Sequence, residues 1–152
     1  CRINGLNNLK PDLFIIDLNL KLKKNLSIIN MARKRKIFLI TLEDNVKKVN
    51  FFKKKGFKIF LVNSLSSKKD FKKLFQYVYQ LGYCRVFFET GLTFLNVLLN
   101  YKLLNILYIF QSNIMLKKFG LNNSTHHYLR KIKLKKKIKI NLINDSLYRK
   151  EF

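Results

Sequence analysis

The chain has 152 residues and carries 32 Lys and Arg against 8 Asp and Glu, a formal net charge of +24. Its length is that of one domain of ~100–200 residues, large enough to bury roughly two-thirds of the surface its unfolded form exposes. With 48% hydrophobic and 14% aromatic residues and one proline, a disordered basic tail is excluded. Two cysteines, Cys1 and Cys84, cannot build a disulfide framework, so a reducing, cytoplasmic setting is the expectation. The first residue is Cys rather than Met, and the sequence reads as a piece of a longer protein.

Apolar, β-branched and aromatic runs alternate with amphipathic stretches. Residues 13–17, 37–41 and 58–62 read as buried strands. Between the last two, residues 44–55 predict a helix with Val46, Val49 and Phe52 inward, lysines outward and Gly56 as its stop. Residues 69–81 repeat that pattern, with Phe71, Leu74, Phe75 and Val78 on one side and Gly82 beyond. A further buried strand is expected over 84–88, with Cys84 as a core residue, followed by a helix over 92–100 and an apolar run over 106–110. Strands alternating with helices predict an α/β fold with a mostly parallel central sheet. Residues 118–124 read as a loop. Alternation of apolar and basic residues over 128–135 and 137–143, with Leu147-Tyr148 near the end, predicts C-terminal antiparallel strands. No repeat or Pro/Gly/Ser-rich linker marks a domain boundary, so residues 1–152 are taken together. The stretch 92–110 has the length of a membrane span, but Asn96, Asn100, Lys102 and Asn105 interrupt it, which argues against one.

The segment with most chemical content is Phe88-Glu89-Thr90-Gly91-Leu92-Thr93-Phe94. A helix N-terminus offers free amides and the positive end of a dipole to phosphate. Gly91 lets backbone approach an anion, Thr93 adds a hydroxyl, and Glu89 can accept hydrogen bonds from sugar hydroxyls or base N–H groups. An ordinary strand-to-helix turn would also have this sequence.

In its order of motifs the chain resembles the reductase domain of the riboflavin-biosynthesis bifunctional deaminase/reductase. That family carries a Val-Glu-Gly-Gly-Pro-Thr-Leu type of motif where this chain has residues 88–94. A Leu-Val-Asp-Glu-Leu stretch follows, where this chain has Leu103-Leu104-Asn105-Ile106-Leu107, and then a Leu-Gly loop, here Lys117-Lys118-Phe119-Gly120. Cys1-Arg2-Ile3-Asn4-Gly5-Leu6 and residues 11–18 resemble the family's segments after its Asp-Asn-Pro-x-Leu-Thr motif.

The resemblance implies a dihydrofolate-reductase-like three-layer fold. It also implies NADPH-dependent reduction of a phosphoribosylaminouracil to its ribityl form, with hydride delivered to C1′ of the ribose. Glu89 matches a substrate-contacting glutamate, and Arg2 an arginine that holds the substrate phosphate. Gly91, Leu92, Thr93, Phe94, Leu95, Asn96 and Val97 match the loop and helix start around the NADPH phosphates. A homodimer and a preceding deaminase domain are implied too. Thr90 and Leu92 depart from the small residue and the proline of the family, and Asn105-Ile106 replaces its acidic pair. The family's first strand and the aspartate near the reacting carbon fall upstream of Cys1, so the 152 residues are expected to be inactive alone.

Two alternatives stand beside this one: a dihydrofolate-reductase-like relative with another substrate, and a basic nucleic-acid-binding module. The second has Arg33-Lys34-Arg35-Lys36 and the lysines of 133–139 as candidate phosphate contacts. Against it, lysine far outnumbers arginine and alanine is nearly absent, as an AT-rich genome dictates, and a solvated strand face accounts for 133–139. His126 and His127 are adjacent and would point to opposite faces of a strand, so no metal is expected there.

Overall fold

The computed structural model describes residues 11–42, 46–112, 114, 132–133, 136–140 and 145–152. The chain divides into two compact units, Cys1–Leu81 and Gly82–Phe152.

The first unit is a parallel sheet built from β1 (Leu13–Ile16), β2 (Ile37–Thr41) and β3 (Lys58–Leu61), in that spatial order. Every residue of β2 is buried, which suits its uninterrupted apolar sequence, because a central parallel strand is covered on both faces. Its one polar residue, Thr41, is paired: Oγ1 donates to the Leu18 carbonyl at 3.0 Å. Parallel neighbours need crossovers. These are α1 (Ser27–Met31) and α2 (Val46–Lys54). Both pack on one sheet face, where Ile29, Val49 and Phe52 join Ile37, Leu39, Leu13, Ile15 and Ile59. The opposite face carries Phe14 stacked on Phe38, with centroids 4.4 Å apart. There α3 (Lys68–Gln80) lays Tyr77 on Phe60 at 3.8 Å. The unit is thus three-layered. Burial of Phe52 and Phe71, both 1% exposed, contributes about 1.5–3 kcal/mol each.

Helix α3 has a full capping box. Ser67 Oγ accepts from the Asp70 amide at 3.3 Å, and Asp70 Oδ2 accepts from the Ser67 amide at 3.0 Å. Its apolar positions Phe71, Leu74 and Val78 are buried as the periodicity predicts.

The second unit contains α4 (Leu92–Asn100) and an antiparallel sheet of β4 (Ile106–Gln111), β5 (Lys136–Ile138) and β6 (Ser146–Glu151), ordered β4-β6-β5. The two former membrane-length halves are therefore a helix and a strand. Among the described residues no helix is long and apolar enough to cross a membrane.

Four expectations need correction. The parallel and antiparallel strands form two separate three-stranded sheets rather than one central sheet with additions. Residues 84–88 form no strand; Val86 and Phe87 are exposed, Phe87 by 77%. Cys84 is likewise exposed, not a core residue. The reason is common to both: an apolar β-type run becomes a strand only where a neighbour takes its backbone groups, and among the described residues none pairs with this one. Finally, the strand over 137–143 is shorter: its described part is β5, with residues 139–140 already outside the ladder. The proposed loop at 118–124 and most of the strand at 128–135 lie outside the described residues.

Candidate functional site

Residues 83–91 run without regular structure into α4. Gly91 is the N-cap, with φ −71° and ψ 165°, and its carbonyl accepts the first helical bond from the Leu95 amide at 3.1 Å. That backbone geometry is open to any residue, so Gly91 is not there for its conformation. Nor is it there for room within the fold: a Cβ at Gly91 would meet no atom within 4 Å, so the position faces open space. Gly91 has no side chain with which to cap the helix. The first turn carries amide donors and the positive end of the helix dipole, the features that attract an anion.

Around this point Glu89, Thr90, Leu92 and Thr93 are exposed, and Thr90 Oγ1 donates to the Gly91 carbonyl at 3.3 Å. Phe88 and Phe94 approach across the turn with ring centroids 6.4 Å apart, which links the incoming segment to the helix. Phe94, Leu95, Asn96 and Val97 are half-buried, and Leu98 anchors the helix with no exposure. Asn96 Oδ1 is buried and has no hydrogen-bond partner among the described residues. Composition gives no sign of such an orphaned acceptor; it follows from packing.

The sequence-predicted residues 89 and 91–97 therefore belong to one turn and the helix it opens. Arg2 lies outside the described residues, as do His126 and His127. No group of His, Cys, Asp or Glu among the described residues could hold a metal ion. Of the basic cluster 33–36, Arg35 is turned toward the fold: its guanidinium donates to the Pro11 carbonyl. Arg33, Lys34 and Lys36 are exposed, as are Lys133, Lys137 and Lys139 of the second cluster.

No protein-family model matches the chain, and no curated protein matches it.

Proposed function

We propose that the chain is the larger part of a dihydrofolate-reductase-like reductase domain of the riboflavin-biosynthesis deaminase/reductase type. Its substrate is a phosphoribosylaminouracil, reduced at the ribose to the ribityl form. The observation that carries this reading is the junction itself: an exposed carboxylate, Glu89, stands two residues before the glycine of the motif, which is the N-cap of a helix.

NADPH, which the reading requires, is compatible with these residues. The first turn of α4, exposed at Gly91, Leu92 and Thr93, presents amides of the kind that suit a dinucleotide phosphate. When bound, NADPH supplies the hydride. The protein's part would be to orient the ligands: of residues 91–97 the exposed Gly91, Leu92 and Thr93 would face the cofactor's phosphate with the rest of the helix behind them, and Glu89 would accept hydrogen bonds from the substrate. The resemblance assigns the substrate phosphate to Arg2, a residue type suited to it because a guanidinium can donate in pairs.

The sheet edges give further support. Among the described residues the sheet edges are β1 and β4, which contain no charged residue, and β3 and β5, which carry Lys58 and Lys136-Lys137. Edges that face water are commonly protected by lysine. Uncharged edges suit a family whose remaining strands pair there.

Calorimetric titration of the protein, extended upstream of Cys1, with NADPH is the test. Gly91→Val is expected to weaken binding at least tenfold with an unchanged circular dichroism spectrum. Glu89→Gln should spare NADPH and weaken the aminouracil substrate. Extended wild-type protein that takes up no NADPH sinks the reading.

A further inference from the structure

We propose that the outer face of α3 docks single-stranded nucleic acid, independently of the reductase reading. Lys68, Lys69, Lys72 and Lys73 are all exposed, and among the described residues no carboxylate or side-chain hydrogen bond engages their ammonium groups. Lys68 and Lys72, and likewise Lys69 and Lys73, are four residues apart, about 6 Å along the axis, so the four form a compact patch of two rows. Like charges at that spacing repel within the helix. An anion that spans several sites relieves this repulsion, as a strand of phosphates does.

The same face ends in Tyr79, which is 67% exposed and lies eleven residues from Lys68 and seven from Lys72, almost in line with both. An aromatic ring at the end of a lysine row matches the way single strands are held, by phosphate contacts plus base stacking. The one acidic residue of α3, Asp70, is committed elsewhere, accepting from Ser64, Ser66 and Ser67. A lipid surface fits less well. An amphipathic helix enters a membrane by its apolar face, and here Phe71, Leu74 and Val78 are already buried in the first unit.

Genome-driven lysine enrichment makes a different prediction, because it spreads charge without a focus. The test is fluorescence anisotropy of a labelled oligothymidine with the 152-residue chain across a salt series. Replacing Lys68, Lys69, Lys72 and Lys73 by Gln should lower the slope of log affinity against log salt by roughly 3, at about 0.7 per phosphate contact. A control with Lys21, Lys23, Lys47 and Lys54 replaced, all exposed and none of them on α3, should leave the slope nearly unchanged. Tyr79→Leu should weaken binding about tenfold at constant slope. Equal losses in the two lysine sets overturn the proposal. So does wild-type protein that ignores the oligonucleotide at physiological salt, whether or not it sediments with vesicles of phosphatidylcholine and phosphatidylserine.

Discussion

Phe57 sits edge-on to Phe52, with ring centroids 5.3 Å apart, and this contact closes the turn that ends α2. The backbone does the same: the Phe57 amide donates to the Phe52 carbonyl at 3.1 Å, and the Gly56 amide to the Lys53 carbonyl at 3.0 Å. Paired 6→1 and 5→2 bonds with an apolar contact across them define a Schellman turn. The glycine between them has φ +93°.

Gly82, after α3, has the same φ of +93° but different surroundings. A Cβ at Gly56 would stand 3.3 Å from the Ala32 carbonyl oxygen, whereas at Gly82 it would meet nothing within 4 Å. Both Gly→Ala changes therefore incur the left-handed penalty of about 1–2 kcal/mol. Gly56→Ala adds a steric cost on top. Urea titrations followed by circular dichroism should rank Gly56→Ala clearly below Gly82→Ala in stability. Equal losses would mean that the Ala32 carbonyl yields freely.

Lys102 presents the opposite case. It occupies the position after the α4 C-cap with φ +54°, its amide donating to Leu99 and the next amide, of Leu103, donating to Leu98. This is a Schellman turn without its glycine. Lys102→Gly should remove the strain, and after the entropy that glycine loses on folding the net gain is expected to be up to about 1 kcal/mol. A rise in the urea midpoint checks it.

Much of this was legible in the sequence for a physical reason. Periodicity records which side of an element is buried, so Val49, Phe52, Phe71, Leu74 and Val78 stand where their spacing puts them, and glycines after α2 and α3 stop them. The start of α4 at Leu92 was legible too, since Gly91 precedes an apolar run. Strand pairing is non-local, and here the reading failed. Residues 84–88 have the composition of a buried strand, yet apolar content says nothing about whether a neighbour exists to pair with. The five-residue α1 gave no signal, having one buried residue, Ile29, and no side-chain cap.

Asp17 is a structural carboxylate whose role also escapes pattern reading. Its Oδ1 accepts from the Lys21 amide at 3.0 Å and its Oδ2 from the Leu22 amide at 2.7 Å. Between them Leu20, at φ +50°, turns into the core and is 5% exposed. Asp17→Ala removes a charged acceptor from two backbone donors and should cost about 1.5–3 kcal/mol. Asp17→Asn keeps one acceptor oxygen and should cost less. Loss of the same stability in both variants would place the effect in the charge rather than in the hydrogen bonds.

Asp70 makes a pH dependence measurable. The hydroxyl of Ser64, 2.6 Å from Oδ2, together with the Ser67 amide, lowers its pKa from the ordinary 3.8 to about 2. A carboxyl whose folded pKa is depressed stabilises the fold fully above its unfolded value and loses that contribution as pH falls through the folded one. The window is therefore from about 4 down to about 2. Asp70→Asn removes this titration while leaving an acceptor for the Ser67 amide. In acid titrations followed by circular dichroism, the variant should lose stability less steeply than the wild type across that window and differ from it most at neutral pH. Parallel acid limbs in the two proteins would show that other carboxyls, and not the α3 cap, set the acid sensitivity of the first unit.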